Sequence, residues 1–590
     1  MTARSSSATP PRSAGLWAAR SGIASIGLLT VAAWLVHPAL RPVHVEGFSA
    51  SIESLAIHMS RGSLGDYDSL HPANLEFFAL SRLGTITFVA SMIRWLGLSS
   101  EWAMRAAMWI GFAALIWASI VLVRRWTGAP VMLVVVALLL IPGVSESAFF
   151  YNDNVPSAAL ALGALAVVGT SEGLAWTALA GLLFGAGVVA RLDAVLLAPA
   201  VGLIGYHQHR LGRIFVRRGL VFTVAALVPV IVVPATVDAT VLDVVRISNY
   251  AVGLWNRPPS LGPHGREFAF FIGTPAALLV AFGLLKLAKA RQWVHLGLLA
   301  GVPIVFNLVA LGKIWQSRQL LPMTPFFAAL ALLGWQYLAD DQSRRRLRFV
   351  VVAVSVVVLF GPFARVKTSD GPRATYGRFW SPWLWTRWQE AIRSNMAEVQ
   401  HLVRGFEGAR PIAVLTDTWD ADRFLHLHML RAGFTVGDNG STHPVCEATG
   451  ESFVKDEARV VHLRLHQPFL STWRWFATQR LQRFAVPCLA QLQPSRTYLL
   501  APGARALTLL SATPSMRGRL DADPLATAYH STGYDRLVAL ALASTDIGPL
   551  AAGYAADSTP PRAAITDPGA ELERIEQMMA NQVWRANGPR

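Results

Sequence analysis

The chain has 590 residues, 53% hydrophobic and 15% charged, and its 52 Lys and Arg against 36 Asp and Glu give a formal net charge of +16. A large soluble protein interleaves its charges with its apolar residues, whereas Thr127 to Gly143 and Leu220 to Val237 contain no charge at all, and apolar blocks of about twenty residues are what a hydrocarbon core requires. A water-soluble enzyme is thereby excluded. So is a nucleic-acid-binding protein, because the basic residues cluster in short loops between apolar blocks, where the positive-inside rule places them.

The first twenty residues, with Arg4, Arg12, Arg20 and many Ser and Pro, have the composition of a disordered cytoplasmic tail. The apolar run 21–40 reads as an uncleaved signal anchor, since it is long and no clear small-x-small cleavage site precedes the polar stretch after it. That stretch, 41–102, contains Glu46, Glu53, Asp66, Asp68 and Glu76, a helical segment Ser51 to Met59, and the pair His71-Pro72. Its amphipathic run Leu75 to Leu98 is too polar for a span and reads as a juxtamembrane helix.

Further spans are expected at 103–123, 129–147, 155–170, 174–190, 193–206, 219–237, 268–287, 294–312, 319–338 and 347–364, about eleven with the first. Arg124-Arg125, the run His207 to Arg218, Lys286 to Arg291 and Arg344-Arg345-Arg346 then share one side. This parity predicts a multi-pass plasma (inner) membrane protein with a cytoplasmic N-terminus, an extracytoplasmic C-terminus and an outward first loop. The pair 174–190 and 193–206 is rich in Gly and Ala and broken at Ala190-Arg191-Leu192-Asp193. An ionisable residue at such a break is costly in lipid and faces a cavity or a headgroup; a structural Arg191–Asp193 pair is the alternative.

After residue 364 the character changes. Residues 365–400, with Tyr376, Phe379, Trp380, Trp383, Trp385 and Trp388, read as an interfacial aromatic and basic linker. Strands are expected at Pro411 to Thr416, Arg459 to Leu463 and Arg496 to Ala501, and a helix after the polar Asp417-Thr418 through Leu430. The expected architecture is therefore a polytopic α-helical membrane domain, 21–364, followed by an extracytoplasmic soluble α/β domain, 401–590. A last helix is expected at Glu571 to Val583, and no internal repeat is present. The two cysteines, Cys446 and Cys488, both lie in the tail domain, where a disulfide is permitted outside the cytoplasm and two thiols are the alternative. No Cys or His spacing indicates zinc.

Several motifs occur in a suggestive order: Val45-Glu46-Gly47-Phe48, then His71-Pro72-Ala73, then Glu101 to Arg105 at the start of the next span. This order resembles the first periplasmic loop of the GT-C superfamily of integral-membrane glycosyltransferases, in particular the protein O-mannosyltransferases and the lipid A aminoarabinose transferases. Those families carry an acidic pair after the first span, where Glu46-Gly47 stands here, and a His-Pro-Pro-like or Lys-Pro motif, where His71-Pro72-Ala73 stands here. Phe150 to Pro156, with Asp153, is similar to the second extracytoplasmic loop. Gly181 to Arg191 is similar to a Gly-rich helix ending on a cation that meets the carrier phosphate, and Ser317 to Pro322 to an Arg-Tyr-Leu-Leu-Pro segment with Gln319 in place of the aromatic. The resemblance spans about residues 21–340 and implies a GT-C-like fold acting in the cell envelope.

Transfer from a polyprenyl-phosphate sugar needs a base for the acceptor hydroxyl and cations for the leaving phosphate. In the expected topology Glu46 and Asp153 face outward as candidate catalytic carboxylates. Arg191, Arg318 and Lys313 do so as candidate phosphate contacts, while His71 and Trp255 are substrate-proximal. The expected partners are the lipid-linked donor, membrane lipid, and a glycan, lipid or protein acceptor. No cofactor is implied with certainty, since one branch of the superfamily uses a divalent ion and the branches most similar here generally do not. Competing expectations are a transporter or flippase of lipid-linked glycans, and a non-catalytic subunit of an envelope glycan assembly complex.

Overall fold

The structure is a computed structural model that describes residues 43–44, 47–62, 82–147, 150–151, 153–209, 212–237, 239–245, 261–310, 317–360, 364–368, 371–376, 382–408, 410–436, 450–465, 481–502 and 537–557. The expected first span 21–40 and the expected helix 571–583 lie outside these residues. The chain divides into two units: residues 105–235 and 256–385 belong to the first, and 43–104, 236–255 and 386–590 to the second. The first loop is thus grouped with the tail rather than with the helices that flank it in sequence.

The second unit begins with α1 (Gly47–Arg61) and α2 (Leu83–Leu96), which pack on each other. Gly97 ends α2 in the left-handed region, φ 63°, with its N–H on Met92 O, a conformation that glycine adopts without steric cost. Then α3 (Ser100–Thr127) crosses from this unit into the first.

The first unit continues with α4 (Val131–Leu139), α5 (Pro142–Ser147), α6 (Asn154–Thr170), α7 (Leu174–Ala190), a 3-10 segment Leu192–Leu197, α8 (Ala198–His209) and α9 (Arg213–Ala235). It goes on through α10 (Leu261–Ile272) and α11 (Thr274–Lys289). A helical turn Trp293–Leu296 and a π-helical turn Gly297–Gly301 lead into α12 (Val302–Ala310). The 3-10 segment Ser317–Met323 precedes α13 (Thr324–Ala339), and α14 (Arg345–Phe360) follows before a short hairpin, Ala364–Thr368 with Gly371–Tyr376.

Among the described residues, three helical stretches are long and apolar enough to cross a bilayer by themselves: Ser100–Thr127, Arg213–Ala235 and Arg318–Ala339. Other expected spans are shorter or divided, for local reasons. The span expected at 129–147 breaks before Pro142, whose ring disfavours helix at the preceding residue. That expected at 268–287 breaks at Gly273, φ 71°. The helix expected at 193–206 opens as 3-10 before α8. On α9, Ile214, Val216, Leu220 and Ile231 are all more than half exposed, an apolar face that lipid rather than water covers.

Helix α9 meets α7 across a small-residue seam. A Cβ at Gly181 would fall on Phe222 O, and one at Gly185 on Ala226 O, so the two backbones approach as closely as only glycine allows. Helix α6 packs on the other side of α7, with Ser157 Oγ donating to Gly187 O at 3.0 Å. The shared core of these helices includes Val155, Leu162, Leu165, Phe184, Phe326 and Phe327.

In the second unit α15 (Pro382–Arg404) precedes β1 (Ile412–Thr416), α16 (Trp419–Arg431), β2 (Thr435–Val436), β3 (Gly450–Lys455) and β4 (Ala458–Arg464). After these come α17 (Val486–Leu492), β5 (Arg496–Pro502), β6 (Leu537–Leu542) and α18 (Ile547–Asp557). The strands form one sheet in the order β6-β5-β1-β4-β3-β2. Strand β1 is parallel to both neighbours, Ile412 standing opposite Val460 and Arg496, while the outer pairings are antiparallel. All five residues of β1 are buried, as the continuous apolar run Ile-Ala-Val-Leu predicts for a central parallel strand. The three strands and the helix expected from the tail sequence coincide with β1, β4, β5 and α16. Cys488 is buried beneath the sheet and disulfide-bonded; Cys446 lies outside the described residues.

Candidate active site

The break after α7 builds the charged centre of the first unit. The last helical turn closes with Arg191 N–H on Gly187 O at 2.9 Å; Arg191 itself is extended, and its carbonyl accepts from Ala194 N to start the 3-10 turn. The guanidinium is thereby turned away from the helix barrel onto two carboxylates. Nη1 donates to Asp153 Oδ2 at 2.6 Å, and Nε to Asp193 Oδ1 at 3.0 Å and Oδ2 at 3.2 Å. Side-chain exposures of 13% for Arg191, 9% for Asp153 and 29% for Asp193 show a centre that is largely desolvated, with Asp193 its most exposed member.

Donor arithmetic follows. A guanidinium has five N–H groups, and the contacts above engage one on Nε and one on Nη1, leaving three for a further acceptor. Two carboxylates around one guanidinium leave this trio a formal charge of −1. Arg318 is a further cation of the same unit. It is 9% exposed, and its 3-10 segment packs against α6, the helix that starts directly after Asp153. Upstream of Asp153, Tyr151 is 2% exposed and its hydroxyl accepts from Arg105 Nε at 3.2 Å. Asn154 Nδ2 approaches Asp153 Oδ1 at 3.4 Å.

Of the residues expected from sequence, the structure joins Asp153 to Arg191 and places Arg318 in the 3-10 segment that packs against α6. The alternative Arg191–Asp193 pair is present beside the contact to Asp153. Glu46, His71, Trp255 and Lys313 lie outside the described residues. Sequence reasoning gave Arg105 and Tyr151 no role; Arg105 had a signal, standing at the start of a span, while Tyr151 had none beyond its closeness to Asp153. Among the described residues no group of three or more His, Cys, Asp or Glu is arranged to hold a metal ion.

The second unit has two charged assemblies of its own. Glu53 of α1 is fully buried; Arg431 of α16 grips both its oxygens, Nε to Oε1 at 2.8 Å and Nη2 to Oε2 at 2.9 Å, and Ser100 Oγ donates to Oε1 at 2.6 Å. Nearby, His58 Nε2 and His426 Nε2 stand 3.3 Å apart. Arg61 donates to Leu430 O at 3.0 Å and Phe434 O at 3.4 Å at the end of α16, and burial lowers its pKa from the ordinary arginine value. Against the interior strand β4, Asp422 accepts from Arg464 Nε at 3.0 Å and faces Arg423 Nε at 3.6 Å and His462 Nε2 at 3.7 Å, all at 3% exposure or less. Glu53 had been noted only as one of several loop acids, and Arg431, Ser100 and Asp422 carried no sequence signal.

No family model matches the chain, and no curated protein matches it. Among solved structures the chain is similar to ArnT from Cupriavidus metallidurans bound to undecaprenyl phosphate, at 16% identity and a TM-score of 0.48, over 88% of this chain and 98% of that one. It is similar to the apo state of the same protein at 14% identity and a TM-score of 0.47, over 89% and 99%. The Archaeoglobus fulgidus oligosaccharyltransferase in complex with zinc and sulfate follows at 12% identity and a TM-score of 0.36, over 76% and 62%.

Proposed function

We propose that this protein is a GT-C-type membrane glycosyltransferase that moves a sugar from a polyprenyl phosphate to an acceptor hydroxyl on the extracytoplasmic side, with inversion. The observation that carries this reading is the Asp153–Arg191–Asp193 centre at the broken end of α7, where an ionisable cluster is costly unless it serves a substrate. The bridged Cys488 supports an oxidising compartment for the sheet-bearing unit.

In this scheme a carboxylate, Glu46 or Asp153, takes the proton of the acceptor hydroxyl as its oxygen bonds to the anomeric carbon. The bond from that carbon to phosphate breaks, and the electron pair leaves on the polyprenyl phosphate. The three remaining N–H groups of Arg191, with Arg318 and Lys313, receive the growing phosphate charge. His71 and Trp255 are proposed to stand beside the substrates. The leaving group of this step, a polyprenyl phosphate, is of the chemical class bound in the ArnT structure.

The test is transfer of labelled sugar from a polyprenyl phosphate by purified protein in detergent or vesicles, with polyprenyl phosphate recovered as product. Turnover that survives both Glu46→Gln and Asp153→Asn sinks the catalytic assignment. Movement of intact donor across vesicles without transfer supports a flippase instead.

A further inference from the structure

The end of the first unit remote from Asp153 holds a cavity that the transfer scheme leaves unused. Its volume is about 280 Å³, and Arg125, Trp126, His207, Gln208 and His295 line it beside apolar residues such as Leu298. They come from the last turn of α3, the second half of α8 and the turn Trp293–Leu296. Two contacts fix its place in the bundle. Gln208 Nε2 donates to Val168 O at 3.0 Å and Gly169 O at 2.9 Å, and a Cβ at Gly169 would lie 3.6 Å from Arg125 Cδ, so the cavity adjoins the C-terminal end of α6. Asp153 precedes the other end of that helix, whose 17 residues rise about 25 Å. The cavity and the Arg191 centre therefore stand at opposite ends of a helix that covers most of a hydrocarbon core.

The lining selects an anion. Arginine presents five N–H donors and a neutral imidazole one, and no carboxylate belongs to the lining among the described residues. The edge-to-face contact of His207 and His295, 5.2 Å between centroids, brings together rings from α8 and the following turn. Carbonyls at a helix C-terminus repel an anion, but here Val168 O and Gly169 O are covered by the Gln208 amide. A metal ion fits less well, since among the described residues no third His, Cys, Asp or Glu joins the two histidines. The surroundings select a lipid over a soluble anion. Trp293 and Val294, next to His295, are 62% and 41% exposed, and Tyr206, next to His207, is 37% exposed. Apolar surface for acyl chains thus continues from the rim, with aromatic rings at the depth of headgroups.

We propose that this cavity binds the phosphate headgroup of an anionic glycerophospholipid on the membrane face opposite the Asp153–Arg191 centre. Arg125 supplies the charged contact, and His207 and His295 donate hydrogen bonds. The site stands whether or not the protein transfers sugar.

The experiment places the full-length protein in nanodiscs of phosphatidylcholine and phosphatidylglycerol and measures retained lipid by native mass spectrometry. A photoactivatable phosphatidylglycerol maps the contact on wild type. Wild type is expected to keep phosphatidylglycerol in preference to phosphatidylcholine and to crosslink within 203–208 or 293–298. Arg125→Gln should lower retention of phosphatidylglycerol roughly tenfold or more, and the ring-preserving His207→Phe and His295→Phe about threefold each. Arg346→Gln, at an exposed position outside the cavity, should leave it within about twofold. Equal retention of both lipids by wild type overturns the proposal, as do crosslinks confined to other segments or undiminished retention in folded Arg125→Gln. Soluble glycerol phosphate that competes as well as the lipid also overturns it, in favour of a soluble ligand. If Arg125→Gln does not fold, the two histidine variants and the wild-type crosslinks decide.

Discussion

An ion cluster from the first unit and the Asp422 cluster of the second are both built from carboxylates and guanidinium groups, yet they differ in exposure. Around Arg191 two carboxylates share one guanidinium, and Asp193, at 29% exposure, is the most exposed of the three. Around Asp422 one carboxylate faces Arg464, Arg423 and His462, and no member exceeds 3% exposure. The first cluster has guanidinium donors to spare and one partly exposed member. The second has none of that exposure: it fastens α16 to strand β4, with Thr416 Oγ1 and His462 Nε2 2.9 Å apart tying in β1. A strongly interacting charge therefore indicates function only when the geometry also leaves it reachable.

The comparison is easiest to break at Arg191 and Asp153. Arg191→Gln or Asp153→Asn should lower sugar transfer by about 100-fold or more, the usual weight of a positioned acid-base or charge-stabilising group, while the thermal midpoint stays within a few degrees. A large fall in midpoint with proportionate activity would make this cluster structural, like the other. In the second unit Arg464→Met should show the reverse pattern, a loss of about 3–5 kcal/mol in stability because Asp422 is left buried without its best partner. Denaturant unfolding followed by sheet-sensitive circular dichroism measures it, and turnover of the fraction that remains folded should hold.

A smaller effect sharpens the contrast from within the membrane. Gly185→Val forces α7 and α9 apart at a cost of about 1–3 kcal/mol, and because Arg191 caps the same helix, activity should fall by more than the loss of folded protein explains. Least of all, Thr418→Ala removes the hydroxyl that accepts from Ala421 N at 3.3 Å and caps α16. It should cost about 1 kcal/mol, visible as a lower thermal midpoint with sugar transfer intact.

How much of this was legible in the sequence depends on the range of the interaction. Strands β1, β4 and β5 and helix α16 are local patterns of periodicity and turn chemistry, and they were found close to their observed bounds. Arg191 stood out because a charge at a break between apolar helices violates a local rule. Its union with Asp153, 38 positions away, was legible only as a shared outward side. The junction of Glu53 with Arg431 was not legible, since 378 positions separate them and each looks like an ordinary surface charge on an amphipathic helix. The divided spans at Pro142 and Gly273 were missed for a different reason: a hydropathy window averages over one residue that the backbone cannot ignore.

The seam of Gly181 and Gly185 against Phe222 and Ala226 has a mechanical meaning. A helix advances about 1.5 Å per residue, so Gly185 and Arg191 are separated by about 9 Å of rise. With no side chain to cushion it, α7 cannot creep along α9, and a slip of even one residue would carry the guanidinium out of reach of Asp153. The two missing side chains act as a detent that sets the depth of a charge in the bilayer.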